Sequence, residues 1–316
     1  MKPALSVIFF TVSSGAGLGL MFLLVLSRFS HLAPASAQWW AAAIAAGVLL
    51  TAGLISSTLH LANPKNAWRA FSRFRTSWLS REGVLAVAIY PLSALYLWAV
   101  YQQHRLLIVG VGLLLALLCV AVLYSTAMIY ACLKTIPRWN NWQTRLAFPV
   151  LGLMSGALLL LGFVPQARPF AGPFALGMLA LGGILKLSYV WRFAKSEGKH
   201  MTINQALQPV RKQQAGQVRL LDVGHSAGTF LTNEFMFELA RDRAFYLRWT
   251  MWVLGFVAPF ALVLTTASPV AVWIAVLLSL TGLLCERWLF FAEAQHVVRL
   301  YHGQASIWVT HVEMVR

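Results

Sequence analysis

The sequence predicts an all-α protein, a polytopic membrane bundle of eight transmembrane helices. Of its 316 residues, 59% are hydrophobic and 11% are charged, against about 45–50% and about 25% in soluble domains. So few charges cannot cover a water-facing surface, which excludes a soluble enzyme, a disordered chain and a small secreted disulfide-linked domain. The apolar residues form solid runs, and because one span requires about 20 such residues, the runs predict transmembrane helices.

Eight apolar runs are long enough to be spans, and they organise residues 1–316 as one integral membrane domain. The runs lie at residues 5–27, 41–61, 83–101, 106–131, 146–164, 173–193, 249–267 and 269–292. The first run is longer than the apolar region of a signal peptide, which has about 7–15 residues, so we expect a retained span. No internal repeat accompanies the runs.

The residues between the runs predict where individual helices begin and end. Asn63-Pro64 is expected to stop the second span, because the residue before a proline disfavours helix. Ser80 is the expected N-cap of the third span. The triplet 267–269 predicts a tight turn between the last two spans, and the eighth helix is expected to continue to about Leu300 as an amphipathic stretch.

Basic residues predict the orientation. The net charge is +16, and 21 of the 25 Lys and Arg residues lie on one side: the termini and the loops after spans two, four and six. In a soluble protein such a charge would suggest nucleic acid, but in a membrane protein Lys and Arg mark cytoplasmic loops. The sequence therefore predicts a multi-pass protein of the bacterial inner membrane with both termini cytoplasmic and no nucleic-acid partner.

The cytoplasmic loop 194–248 is the longest connection. Loops of more than about 12–15 residues are usually functional or disordered, and the end of this one, 229–249, has the pattern of an amphipathic helix. A large basic face of this kind suits a docked protein partner. The alternative is attraction to the anionic headgroups of membrane lipid.

The densest candidate site lies between the second and third spans. A quinone needs a proton-transfer group near its carbonyls and flat apolar walls for its ring. Imidazole exchanges a proton near neutral pH, aromatic rings supply walls, and guanidinium groups balance the negative charge of a reduced ring. The residues expected to bind a quinone here are His60, Trp68, Arg69, Arg73, Arg75 and Trp78. The alternative is a basic interfacial helix that only fixes topology.

Charged residues inside spans extend the same candidate site. Ionisable groups within a membrane are expensive and therefore candidates for function. Lys186 lies in the cytoplasmic half of span six with Tyr189 on the same face, and Glu286 and Arg287 lie in the cytoplasmic half of span eight. We count all four as candidate quinone ligands. The alternative is structural: Lys186 snorkels to the interface, and Glu286 pairs with Lys186 or Arg287.

No pattern in the sequence predicts a catalytic centre or a resident metal. The three cysteines, Cys119, Cys132 and Cys285, have no metal-ligand spacing. A b-type haem needs two facing axial ligands, and the pair His60 and His296 is the one arrangement that comes near this. No haem is therefore expected, and any redox metals are expected in other subunits.

Several segments resemble the membrane-anchor subunits of dimethyl sulfoxide reductase and related molybdoenzymes. The segments that carry the resemblance are Ser57-Thr58-Leu59-His60-Leu61, Pro64, Ala67-Trp68-Arg69-Ala70, Arg75-Thr76-Ser77-Trp78-Leu79-Ser80-Arg81-Glu82, Lys186-Leu187-Ser188-Tyr189 and Glu286-Arg287-Trp288-Leu289-Phe290-Phe291. Within that family, Arg219-Leu220-Leu221-Asp222, Thr232-Asn233-Glu234 and the predicted cytoplasmic orientation are most similar to the anchors of cytoplasmic sulfite dehydrogenases.

The resemblance implies a function that the residue pattern alone does not give. Such anchors have eight helices, hold a ferredoxin-like subunit with four iron–sulfur clusters, and through it a molybdopterin catalytic subunit. They bind the quinone, ubiquinone or menaquinone, and the family's quinol-binding histidine corresponds to His60. The implied role is passage of electrons between the ferredoxin-like subunit and the quinone pool, with sulfite oxidation as the expected reaction.

Two other functions remain open at the level of sequence. The chain is alternatively the anchor of a dimethyl sulfoxide or related reductase, with electrons flowing from quinol to substrate. It is alternatively a secondary transporter with Lys186 and Glu286 on the substrate path, although such proteins usually show inverted repeats or broken helices. A haem-bearing anchor is a further variant.

Overall fold

The computed structural model describes residues 3–30, 35–58, 64–194, 200–201, 240–298 and 307–308. Eight helical segments in this part of the chain are long and apolar enough to cross a membrane, which confirms the predicted all-α bundle. His60 lies outside the described residues, and so does most of the 194–248 loop, including the first part of its predicted amphipathic helix.

Each predicted run coincides with one span. The helices are α1 (Leu5–Ser30), α2 (Ala37–Thr58), α3 (Trp78–Tyr101), α4 (Arg105–Ala131), α5 (Trp142–Phe163), α6 (Arg168–Ala194), α7 (Ala240–Trp252), α8 (Ala258–Thr265) and α9 (Pro269–Ala292). The seventh span consists of α7 and α8 joined by a π-helical turn, Val253–Val257. A two-residue antiparallel pair, His200–Met201 with Ile307–Trp308, links the loop after α6 to the C-terminal tail.

Two boundary predictions were wrong. The N-cap of α3 is Ser77 rather than Ser80: the Ser77 hydroxyl accepts a hydrogen bond from the Ser80 backbone amide, so α3 begins at Trp78. The eighth span does not continue to Leu300, because α9 ends at Ala292 with Glu293 as its C-cap. Side-chain contacts beyond the helix accompany each boundary: those of Arg81 with the turn before α3, and those of Glu293 with Arg138 and Arg248.

Helix α1 is the centre of the bundle and packs against α2, α4, α5 and α9. Its contact with α5 is close because glycines meet at the crossing. A Cβ added at Gly19 would collide with the Gly152 backbone, and one added at Gly156 would collide with the Gly19 backbone. Small residues of this kind let membrane helices approach closely and pack by van der Waals contact.

We predict that Gly156→Ala destabilises the bundle by about 3 kcal/mol, since backbone cannot yield as a side chain does and overpacking is costly. Gly47→Ala is the matched control, because a Cβ at Gly47 meets nothing within 4 Å. The measurement is thermal unfolding of the two purified variants in detergent. An unfolding midpoint of Gly156→Ala equal to that of Gly47→Ala would contradict the predicted close crossing.

Candidate functional site

A ten-residue 3₁₀ helix, Pro64–Arg73, connects α2 to α3 and is called the connecting helix below. Trp68, Phe71 and Phe74 are exposed on and just after it, with 64%, 45% and 43% of their surface accessible. Arg69 and Arg73 lie between these rings and are exposed as well. A short helix is thus present between the two spans, and its aromatic and basic side chains are open to a membrane interface or a ligand.

The turn after the connecting helix is fixed by Arg81, from the first turn of α3. Its guanidinium donates to the Phe74 carbonyl (3.0 Å) and to the Arg75 carbonyl (2.8 Å). The same guanidinium lies over the Trp78 ring, with its Cζ 4.2 Å from the ring centroid. These contacts hold Arg75 and Trp78 in one rigid corner at the entrance to α3, which explains why the helix begins before Ser80.

Below this corner lies a buried carboxyl that the sequence analysis did not select. Glu82 is one turn after Trp78 and only 5% exposed, and its partner is the Thr126 hydroxyl on α4. The Trp78 ring packs edge-on against Tyr124 of the same helix, with centroids 6.0 Å apart. An acid group therefore lies next to an aromatic wall, on the inner side of the connecting helix.

The Thr126 hydroxyl can serve Glu82 in either protonation state. It lies within 3.1 Å of the Val122 carbonyl as well as beside the Glu82 carboxyl. A hydroxyl has one proton and two lone pairs. It donates to Glu82 when the carboxyl is ionised, and it accepts from Glu82 and donates to Val122 when the carboxyl is protonated. The hydrogen bond between Thr126 and Glu82 can consequently persist whether the carboxyl gains or loses a proton.

The charges within spans six and eight form a buried ion cluster, which we define as Lys186, Glu286 and Arg287. The Lys186 ammonium pairs with Glu286 Oε1, and Arg287 Nε lies 3.0 Å from Glu286 Oε2. All three side chains are at least nine-tenths buried. The pairing between spans that the sequence analysis left as an alternative is thus present in the structure.

Aromatic side chains surround the ion cluster. The Arg287 guanidinium lies over the Phe148 ring at 3.7 Å and the Lys186 ammonium over the Tyr189 ring at 5.0 Å. The Tyr189 hydroxyl is itself occupied, because it donates to the Arg138 carbonyl at 3.1 Å. Cation–π contacts stabilise desolvated cations, so the cluster is held by rings as well as by Glu286.

A second ion network lies at the end of α9, nearer the predicted cytoplasmic surface. Glu293 accepts from Arg138 at 2.6 Å and from Arg248 at 2.6 Å. The Trp139 indole donates to the Phe290 carbonyl at 2.9 Å. These bonds tie the α4–α5 loop and α7 to the C-terminal end of α9, which explains why the helix stops there.

Nine of the ten sequence-predicted site residues lie in the described part of the chain, where they fall into two separate places, and His60 lies outside it. One group lies on the α3 side of α4: Trp68, Arg69, Arg73, Arg75 and Trp78. The other group lies between α6 and α9: Lys186, Tyr189, Glu286 and Arg287. Helix α4 stands between the two places, with Thr126 facing Glu82 and Tyr130 packed on Phe290 at 5.5 Å. The described structure joins three of the ten in the buried ion cluster, with the Tyr189 ring beside Lys186, and leaves Trp68 and the three arginines exposed.

Within the described residues, no group of three or more His, Cys, Asp or Glu side chains is arranged to hold a metal ion. His296 lies just after α9, where its Nδ1 accepts a hydrogen bond from the Val298 amide at 3.0 Å. Partial burial lowers the pKa of His296 below its ordinary value. Its imidazole is thus neutral with Nδ1 engaged in the turn, and the other candidate axial histidine, His60, lies outside the described residues.

The comparisons with known proteins agree with this architecture. A model of the DMSO reductase anchor subunit (DmsC) family matches residues 1–292. The chain is 34% identical to a sulfite dehydrogenase subunit of Allochromatium vinosum over 331 aligned positions, which cover 97% of this chain and 100% of that protein. It is 29% identical to the anaerobic dimethyl sulfoxide reductase chain YnfH of Escherichia coli K12 over 148 positions, or 44% of this chain and 52% of that protein. The family match extends across all eight spans, and the chain belongs to the DMSO reductase anchor subunit family.

Proposed function

We propose that this chain is the membrane anchor and quinone-binding subunit of a molybdoenzyme complex that oxidises sulfite in the cytoplasm. A molybdopterin catalytic subunit would act on sulfite, and a ferredoxin-like subunit with four iron–sulfur clusters would carry the electrons to the anchor. The whole-length similarity to a subunit of a sulfite dehydrogenase supports this choice of substrate. The basic loops assigned to the cytoplasmic side support docking there, with both termini inside and the bundle in the bacterial inner membrane.

The observation that carries the quinone role is the buried Glu82 carboxyl one turn below Trp78. A quinone takes up electrons and protons together at its carbonyl oxygens, so its site needs a protonatable group beside an apolar wall. Glu82, Trp78 and Tyr124 provide both, and the residues present therefore fit the group. The corner fixed by Arg81 holds the wall rigid, which favours binding through preorganisation.

Different side chains of this chain would hold the quinone ring, transfer protons and balance negative charge. Trp78 and the exposed Trp68 would flank the ring, and Glu82 with Thr126 would hold or release a proton. Arg69, Arg73 and Arg75 would balance negative charge at the interface, and His60 would supply a second proton-transfer group. Protons taken from the cytoplasmic side would add little to the membrane potential.

The role that we propose for the buried ion cluster is structural. Lys186, Glu286 and Arg287 are paired with one another, and the Tyr189 hydroxyl is bonded to the Arg138 carbonyl. Groups engaged in this way are poor first partners for a ligand. We assign the cluster to fixing α6 and α9 behind the Glu82 side of the bundle, and we assign the quinone ring to the side of the connecting helix.

Purification of the tagged protein from its native membranes in mild detergent tests the proposed complex. We expect mass spectrometry to find a molybdopterin subunit and a ferredoxin-like subunit with it, and the complex to reduce a quinone analogue when given sulfite. Turnover with dimethyl sulfoxide and quinol, and none with sulfite, would favour the reductase instead. Recovery of this chain alone, under conditions that keep other respiratory complexes intact, would contradict the anchor function.

A further inference from the structure

A small cavity lies inside the bundle, enclosed by α1, α4, α5 and α9. It has space of about 20 Å³ for the centre of a water molecule, and one buried water needs about 10–15 Å³ of such space. Its lining is partly polar, although it lies deep among apolar side chains. The residues that line it are Thr11, Val12, Ser14, Gly15, Leu123, Thr126, Phe148, Leu151, Gly152, Ser155, Leu283 and Arg287.

One of the residues that line this cavity carries a buried donor without an acceptor. Arg287 uses its Nε for Glu286, while its Nη1 has no hydrogen-bond partner among the described residues and is shielded from solvent. Guanidinium is always charged and carries no acceptor, so this N–H cannot be satisfied by a change of protonation. A buried donor of this kind is normally paired, with protein or with an ordered water.

Acceptors are present on the same wall. The Thr126 hydroxyl donates either to Glu82 or to the Val122 carbonyl, and in either case a hydroxyl oxygen keeps accepting capacity. The Ser155 hydroxyl, which donates to backbone carbonyls of its own helix, also faces the cavity. One donor and two hydroxyl oxygens give a water the two to four polar partners that it requires.

We propose that this cavity is a binding site for a single structural water, which bridges Arg287 Nη1 and the Thr126 hydroxyl. The water accepts from Arg287 and donates to Thr126, and Thr126 donates to the ionised Glu82 carboxyl. The resulting donor chain runs from the buried ion cluster through α4 to Glu82. It joins the two charged places that the helices otherwise keep apart, and it does not depend on what the Glu82 side of the bundle binds.

Radiolytic hydroxyl labelling of the purified protein tests the site, because radicals formed from a bound water modify the side chains next to it. Phe148 lines the cavity, and Phe256 is equally buried but does not, at 4% and 3% exposure. We expect Phe148 to be modified several-fold faster than Phe256. Labelling of both rings at the same low rate would show a dry cavity and overturn the proposal.

A pair of glycine variants supplies a second measurement. A Cβ at Gly15, in the cavity wall, would meet the nearest atoms at 3.8 and 4.0 Å, which is ordinary contact, so Gly15→Ala fills space without a clash. Gly47→Ala adds the same methyl group in open space. We expect Phe148 labelling to fall to the Phe256 level in Gly15→Ala and to stay unchanged in Gly47→Ala. Undiminished labelling in Gly15→Ala would place the water elsewhere and overturn the assignment.

Discussion

Glu286→Gln is expected to lower the free energy of unfolding by about 3–5 kcal/mol, the cost of leaving buried charges unpaired. The substitution keeps the shape of the side chain but removes the one carboxylate that Lys186 and Arg287 share. Both cations stay buried between α6 and α9, where water cannot solvate them. The measurement is thermal or denaturant unfolding of the purified variant in detergent micelles.

Glu293→Gln is the matched control for this substitution. Glu293 also pairs with two cations, but one of them, Arg248, is 44% exposed at the edge of the bundle. Exposed pairs contribute about 0–1 kcal/mol, so we expect a loss several times smaller than that of Glu286→Gln. Equal losses of unfolding free energy in the two variants would contradict the view that burial makes the buried ion cluster essential to the fold.

His60→Ala is expected to abolish quinone turnover while leaving the complex assembled. General acid–base groups contribute about 10²–10⁴-fold to a rate, so we predict a loss of at least about 10²-fold in quinone reduction. Glu82→Gln is expected to have an effect of the same order, since the amide can hydrogen-bond to Thr126 but cannot carry the proton. The measurement is the rate of quinone reduction by the purified complex, alongside substrate oxidation with an artificial acceptor.

His104→Ala is the control for the histidine substitution. His104 is exposed at the start of α4, on the opposite face of the bundle, and its side chain makes no capping hydrogen bond. We expect this variant to reduce quinone at the wild-type rate. Full quinone turnover in both His60→Ala and Glu82→Gln would contradict the proposed quinone site. Loss of the partner subunits from these variants would indicate a docking role instead.

The spans were predictable from sequence because the bilayer imposes a length and an apolar composition on each helix, independent of its neighbours. The ends of α3 and α9 were less predictable. Ser77 and Ser80 are both good caps by type, and the choice between them depends on Arg81 reaching back to the Phe74 and Arg75 carbonyls. Contacts of that kind do not appear in a local pattern.

The candidate site was predictable in part for a similar reason. Lys186 and Glu286 stand out because charges inside spans are costly, and the structure shows that Glu286 contacts both of the cations that the sequence offered it. Glu82 is not predictable in the same way, because an acid at the start of a span is expected to be exposed at the membrane interface. Its burial is produced by α4, which places Thr126 beside it, 44 residues away in sequence.

Sulfite-dependent quinone reduction in membrane vesicles of known orientation tests the proposed cytoplasmic oxidation of sulfite. We predict activity in inside-out vesicles, where the cytoplasmic face is open to added sulfite. We expect little activity in right-side-out vesicles and none in vesicles from cells that lack this chain. Activity confined to right-side-out vesicles, or activity that persists without the chain, would contradict a cytoplasmic sulfite-oxidising complex that reaches the quinone pool through this anchor.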